Sequence, residues 1–171
     1  EDGIRNIGVT GVQTCALPIW LLRAGKIQAV VNGPISKEWM AKAGFRFPGQ
    51  TEFYARRFGR KEKEVTMCMV GPRLRVALAS THVSLRRAVS GLSVSSIVRA
   101  GMHLTELLKR MGLKKPSIAV CGLNPHAGER GLFGREDLRI VWPAVRRLKR
   151  RTRLPVFGPE PADTRSEEHT S

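Results

Sequence analysis

Apolar positions along this chain of 171 residues follow two rhythms. Short continuous apolar runs suit strands buried on both faces, and a period of three to four residues suits amphipathic helices. Ile27 to Asn32 and Ser117 to Cys121 are runs of the first kind. Glu64 to Val70 and Leu74 to Ser80 are strand-like, and Gly71-Pro72-Arg73 joins them tightly, which predicts a hairpin. Ser93 to Met111 has the helical period, with Ile97, Val98, Met102, Leu104, Leu107 and Leu108 as its apolar positions and Gly112 marking its end. Trp20 to Gly25 reads as the last turns of a helix closed by its glycine. Ser36 is placed to cap a helix running to Ala43, which Gly44 ends. After the loop Phe47-Pro48-Gly49-Gln50, Thr51 is placed to cap a second short helix through Phe58. Leu138 to Leu148 is predicted helical, and Val156-Phe157 opens a last strand. Strands alternating with helices imply a layered α/β sheet with parallel members.

Composition narrows the class. A hydrophobic content of 42% fits one globular domain with a real core. No apolar run is long enough for a membrane helix. Glu1 and Asp2 are acidic where a signal peptide would begin basic. Cys15, Cys68 and Cys121 are odd in number and form no CxxC pair, so neither a disulfide framework nor a zinc finger is supported. Cys68 and Cys121 lie in apolar runs and are expected as buried reduced thiols, and a cytoplasmic protein follows.

A formal charge of +16 is the compositional anomaly. Its densest run is Arg146-Arg147-Leu148-Lys149-Arg150-Arg151-Thr152-Arg153, at the end of a predicted helix where cations oppose the helix dipole favourably. Nucleic-acid binding is the obvious functional reading. No zinc-finger spacing or RNA-recognition aromatic motif accompanies the charge, so nucleic acid is not the expected partner. A basic nucleic-acid-binding module stands as the rival outside the enzyme class. The two ends, residues 1–19 and 165–171, lack a clear period and resemble translated adapter sequence. They are read as a non-native leader and tail, with 20–164 as the native segment.

Two stretches are dense in chemistry. Ala79-Ser80-Thr81-His82 and Cys121-Gly122-Leu123-Asn124-Pro125-His126 each carry a histidine just beyond an apolar strand. In open α/β sheets ligands bind beyond the carboxyl ends of strands. Neutral imidazole is a common zinc and transition-metal ligand, so His82 and His126 are candidate partners on one ion. Each can equally be a hydrogen-bonded surface residue. A catalytic metal usually takes three protein ligands, so two histidines do not complete a site. Gly128 permits close backbone approach to a ligand. Glu129 can orient a histidine, bind metal or cap the next turn. Gly49-Gln50-Thr51-Glu52 puts a flexible turn at a helix start, where backbone N–H groups can hold phosphate or simply be capped. Lys37 follows a strand-end turn and can meet an anionic substrate or water. His103 lies mid-helix and is expected to be structural or exposed. No GxGxxG, Walker A or GxSxG motif is present, so Rossmann and P-loop sites are not indicated.

Taken together, these blocks resemble the 4-hydroxythreonine-4-phosphate dehydrogenase (PdxA) family of pyridoxal phosphate (vitamin B6) biosynthesis. The matching stretches, in family order, are Asn32 to Lys37, Phe47 to Phe53, Arg75 to His82, Cys121 to Glu129 and Pro161 to Thr164. The resemblance covers residues 20–164 and is specific because several motifs occur jointly. It implies a three-layer α/β/α fold like that of isocitrate and isopropylmalate dehydrogenases, present here incompletely as a partial dehydrogenase domain. It implies a homodimer, NAD or NADP, and a divalent metal (Zn, Mg or Co). His82 and His126 fall on two of three family metal histidines, and Gln50 and Thr51 on a substrate-binding pair whose first member is often histidine. Gln50 keeps hydrogen bonding but carries no charge. Lys37, Asn124, Glu129 and Asp163 fall in motifs near the site. The implied reaction oxidises and decarboxylates 4-phosphohydroxy-L-threonine to 3-amino-2-oxopropyl phosphate. A sister dehydrogenase acting on 4-phosphorylated threonate or erythronate shares the metal chemistry, and the residues present do not separate the two. The family chain is about twice as long, and its third metal histidine lies beyond Thr164, so this chain alone is expected to be inactive.

Overall fold

Ser36 shows how local chemistry sets the boundaries of this chain. Its side chain accepts from the Trp39 N–H at 3.4 Å and starts α2 (Lys37–Lys42), as its residue type predicts. The computed structural model describes residues 16–61 and 64–162. Asp163 therefore lies outside the described residues. The chain divides into two compact units, residues 1–65 and 66–171.

In the first unit α1 (Ala16–Arg23) precedes α2, and α3 (Gln50–Arg57) follows. α1 begins inside the segment 1–19, and its Ile19 is buried. α3 starts one residue before the predicted cap. Gly49, not Thr51, is the N-cap, and no side chain caps the helix. Thr51 thus sits within the first turn. Phe45, Phe47 and Phe53 form a triangle with every pair of ring centroids 5.4 Å apart, which packs the Phe47–Gly49 loop against α3. The strand expected at 27–32 is absent. Val31 is 97% exposed, and the run pairs with no described strand. A continuous apolar run is held as a strand only when another strand pairs along its edge, and here none does among the described residues.

The second unit opens with the predicted hairpin. β1 (Cys68–Val70) and β2 (Arg75–Ala77) pair antiparallel, Met69 opposite Val76, and the Gly71 N–H donates to the Leu74 carbonyl at 2.8 Å across the turn. Both strands are shorter than the apolar pattern suggests. α4 (Leu85–Gly91) follows, started by the Ser84 side chain accepting from the Arg87 N–H; its apolar positions Leu85, Ala88 and Val89 have helical spacing, yet Leu85 and Val89 stay exposed. α5 (Val94–Arg110) begins with a reciprocal capping box between Ser93 and Ser96. Its apolar face is as predicted: Ile97, Val98, Leu104 and Leu108 are buried. β3 (Ile118–Cys121) runs parallel to β4 (Val156–Glu160), and α6 (Trp142–Thr152) lies on the crossover between them, as parallel strands require. A π-helical turn, Asp137–Val141, leads directly into α6.

Burial concentrates where α5, α6 and the β3–β4 pair meet. Ile97, Val98, Leu104, Leu108, Ile118, Val141, Ala144, Val145, Leu148 and Val156 form one apolar cluster. α5 and α6 approach closely because Gly101 has no side chain: a Cβ there would lie 2.4 Å from Leu148 Cδ2. β4 gains one residue over β3 between the Ala119–Phe157 and Cys121–Glu160 pairs. Gly158 sits at that bulge, where a Cβ would come within 2.4 Å of the Val120 carbonyl oxygen. β3 buries Ile118 and exposes Ala119 and Cys121. The expectation of a buried Cys121 is therefore corrected, since position 121 falls on the uncovered face of the pleat. Cys68 is half-buried. On α6, Arg146, Arg147, Lys149, Arg150 and Arg151 are all exposed, and the Arg146 guanidinium lies 5.7 Å from the centroid of Trp142. The result is a mixed α/β chain. No helix among the described residues is long and apolar enough to cross a membrane.

Candidate functional site

The two candidate histidines occupy equivalent positions in their strand–turn segments. His82 lies five residues beyond Ala77, the end of β2, and His126 five residues beyond Cys121, the end of β3. Both are exposed, and both hold the left-handed backbone, with φ of 55° and 51°. Among the described residues only six non-glycine positions have positive φ: His82, His126, Ala127, Glu129, Arg130 and Arg153. Both candidate ligands and Glu129 are in that set. Such backbone is uncommon outside glycine and gathers at functional sites.

The His126 turn is unusual in a second way. His126, Ala127, Gly128, Glu129 and Arg130 are left-handed in succession. The cost for an L-residue is about 1–2 kcal/mol each, which glycine escapes. Short internal bonds close the turn: Ala127 N–H to the Asn124 carbonyl at 3.1 Å, Leu132 N–H to Glu129 at 3.2 Å and Phe133 N–H to Gly128 at 3.3 Å. The His126 and Phe133 rings lie 6.2 Å apart, centroid to centroid.

Asp137 anchors this turn, and it is the residue that the sequence reading missed. It is 1% exposed. Its Oδ1 accepts from the Leu123 N–H at 2.7 Å, and its Oδ2 accepts from the Asn124 N–H at 3.1 Å and from Asn124 Nδ2 at 3.0 Å. Each hydrogen bond to a charged group contributes about 1.5–3 kcal/mol, an amount of the same size as the strain it opposes. Asn124 Nδ2 also donates to Glu136 Oε2 at 3.0 Å. Its own backbone N–H, then the Asn124 amide, holds the Glu136 carboxyl below its ordinary value, with Arg139 adding a smaller attraction. Gly122 and Gly128 make room for the Asp137 carboxylate, since Cβ atoms there would lie 3.2 and 3.1 Å from its oxygens. Two adjacent acids at the start of an apolar helical period, after glycines at 128, 131 and 134, were the available sequence signal.

The remaining candidates are placed as follows. Asn124 is drawn into the Asp137–Glu136 cluster. Glu129 is an exposed member of the left-handed turn. Lys37 is exposed at the first position of α2, and Gln50 and Thr51 are half-buried in the first turn of α3. The Tyr54 hydroxyl donates to Asn32 Oδ1 at 3.0 Å, which ties the Asn32–Lys37 segment to α3. His103 is structural, as expected: its Nδ1 lies 2.8 Å from Thr66 Oγ1. A shallow concavity of about 330 Å³, lined by Arg146, Lys149 and Arg150, includes none of the candidates.

The donor set fits a metal only in part. His82 and His126 are two imidazoles of a ligand-bearing type, and no group of three or more metal-binding side chains is gathered among the described residues. A third ligand would have to come from elsewhere.

Comparison with known proteins agrees with the motif pattern. The family model described as pyridoxal phosphate biosynthetic protein PdxA matches residues 6–170. The 4-hydroxythreonine-4-phosphate dehydrogenase of Desulfosudis oleivorans is 44% identical over 142 residues, which is 82% of this chain and 41% of that protein. The D-threonate 4-phosphate dehydrogenase of Cupriavidus necator is 42% identical over 145 residues, 84% of this chain and 43% of that protein. The crystal structure of 4-hydroxythreonine-4-phosphate dehydrogenase from Klebsiella pneumoniae superposes with a TM-score of 0.74 at 38% identity, covering 85% of this chain and 43% of that one. The chain thus spans less than half the length of the relatives it matches. With a family model covering nearly the whole sequence and its motifs in family order, the chain belongs to the PdxA family of pyridoxal phosphate biosynthetic proteins.

Proposed function

We propose that this chain is part of a metal-assisted, NAD(P)-linked dehydrogenase that oxidises the secondary alcohol of 4-phosphohydroxy-L-threonine. The alcohol carbon gives its hydride to the nicotinamide ring and the hydroxyl loses its proton. The resulting β-keto acid loses carbon dioxide, and protonation of the remaining carbon gives 3-amino-2-oxopropyl phosphate. The observation that carries the reading is the matched pair of strained histidines, His82 and His126, each five residues past a strand end.

In this reading His82 and His126 hold a divalent ion (Zn, Mg or Co) as neutral imidazoles. When bound, that ion supplies Lewis acidity towards the substrate oxygens. Gln50 and Thr51 hydrogen-bond the substrate from the first turn of α3, and the exposed Lys37 offers a positive charge to its phosphate. Asn124 keeps the turn that bears His126 attached to Asp137 and Glu136, while Glu129 and Asp163 support the site. The whole protein is a cytoplasmic homodimer with three-layer α/β/α architecture, and this chain alone has no turnover.

The D-threonate 4-phosphate dehydrogenases among the relatives favour one second reading, a sister enzyme acting on a 4-phosphorylated threonate or erythronate. The two substrates differ at the carbon bearing the amino group, and no residue placed here separates them. The test is NAD(P)H production by the full-length parent with each substrate, with and without a chelator. Turnover of the amino substrate that the chelator abolishes is the expected result. Turnover of only the threonate or erythronate ester would move the assignment to the sister enzyme. Chelator-insensitive turnover, or turnover unaffected by His82→Ala and His126→Ala, would remove the metal role.

A further inference from the structure

We propose that Asp137 is a positioning residue for His126, holding the left-handed turn so that the imidazole is presented in one orientation. The proposal rests on the reading of His126 as a metal ligand and adds the device that aims it.

An ordinary acid at a helix start accepts from the N–H groups of its own first turn. The side-chain bonds of Asp137 run elsewhere. Its three donors belong to Leu123 and Asn124, 14 and 13 residues upstream, and all converge on a carboxylate that is 1% exposed. Glu136, the residue in the N-cap position, makes no side-chain cap bond. Its carboxylate instead takes the Asn124 amide. The first turn of this helix is thus spent on a distant loop. That loop runs from Asn124 through Pro125 to His126, the first residue of the left-handed series. The backbone entering the turn is therefore pinned at both amides nearest the histidine that can donate, since Pro125 has no N–H.

The fit around the carboxylate is tight on two sides. A Cβ at Gly122 would also meet Ala127 Cα at 2.7 Å, so the strand end, the carboxylate and the turn are in mutual contact. A turn carrying this many strained non-glycine residues relaxes when its anchor is removed, since nothing intrinsic to L-residues keeps it left-handed. Orientation of a metal-binding imidazole by groups that do not touch the metal typically changes metal affinity 10–100-fold.

The test uses this chain, isotopically labelled, as native protein and as Asp137→Asn and Asp137→Glu. Asparagine keeps the shape but presents an NH2 group to N–H donors, so it satisfies the cluster only in part. Amide hydrogen exchange is read at Leu123, Asn124, Ala127, Leu132 and Phe133, with Leu104 and Leu148 as core references. Co2+ titration is followed by the paramagnetic shift of the His126 ring signals. Asp137→Asn is expected to speed exchange at the turn at least tenfold, leave the core amides unchanged, and raise the Co2+ concentration for half-maximal shift about tenfold. Asp137→Glu, which restores both acceptor oxygens, is expected to recover part of each effect.

Unchanged exchange at the turn, or equal loss of protection in turn and core, would overturn the proposal. So would local loosening with Co2+ affinity unaltered. If the Asn variant does not fold, the native chain decides: a through-hydrogen-bond coupling between the Leu123 nitrogen and the Asp137 carboxyl carbon supports the clasp, and its absence refutes it. If Co2+ does not shift the His126 signals in this chain, which supplies only two of the donors, the titration is repeated on the full-length parent, where absence of a shift would strike the metal reading alone. The exchange arm would then still report whether Asp137 holds the turn.

Discussion

Replacing Gly101 by alanine should change sign with its surroundings. In α5 the added methyl would lie 2.4 and 2.8 Å from the two Cδ atoms of Leu148 and 3.2 Å from its Cγ. Leu148 is fully buried in the α5–α6 contact, so its methyl groups have nowhere open to go. Overpacking of this kind costs about 1–3 kcal/mol. Alanine also gains about 1 kcal/mol over glycine in a helix interior. The net effect in the native background is a destabilisation of about 0–2 kcal/mol. Leu148→Ala removes the colliding atoms and by itself costs about 2–5 kcal/mol. In that background Gly101→Ala keeps only its helical gain and is expected to stabilise by about 1 kcal/mol. The coupling of the cycle is therefore about 1–3 kcal/mol. Urea unfolding of the four proteins measures it, since 1 kcal/mol moves the midpoint by about 0.3–1 M at ordinary m-values. Equal shifts of the same sign in both backgrounds would refute the close approach of the two helices at this point.

Three other outcomes follow from positions near the candidate site and the hairpin. Gly122→Ala would push its methyl onto the Ala127 backbone; a loss of about 1–3 kcal/mol is expected, and urea denaturation that matches the native chain would contradict it. The Glu136 carboxyl, followed by NMR, should titrate below its ordinary 4.5 and return towards it in Asn124→Ala. Because its folded value is depressed, its contribution to stability is present above 4.5 and lost as pH falls through the lower folded value. Burial raises the Cys68 thiol above 9.0, so iodoacetamide should modify Cys68 more slowly than the exposed Cys121, as peptide mass mapping would reveal. The sign for Cys68 is opposite to that of Glu136: its contribution is present below 9.0 and is lost as pH rises through the raised value.

The elements that could be read from the sequence are those whose causes are local. α5 announces itself through a helical period, a serine cap and a terminal glycine within one stretch, and the hairpin through Gly71-Pro72-Arg73 between two apolar runs. The matched positions of His82 and His126 were also visible, because both follow an apolar strand at the same distance. Ile27 to Asn32 misleads because an apolar run states a preference for burial, not the presence of a partner. α4 is too short for its few apolar positions, Leu85, Ala88 and Val89, to make a distinctive period, and two of them stay exposed. Cys121 was misplaced because β3 is covered on one face, which depends on its neighbours. Asp137 could not be assigned because its three bonds reach back 13 and 14 residues. A carboxylate beside an arginine-rich helix reads locally as surface charge.

The cations of α6 have a consequence for how the protein responds to its solvent. Arg146 and Arg150 stand one turn apart, as do Arg147 and Arg151, and the helix contains no carboxylate. Like charges at this spacing repel by about 0.2–0.5 kcal/mol per pair, although those in the final turn are favoured by the dipole. Dissolved ions weaken mutual repulsion among exposed groups over a Debye length of about 8 Å at physiological ionic strength. Moderate salt should therefore tighten this helix, whereas dilute buffer should loosen its outer turns and leave the protein prone to cling to any acidic surface it meets.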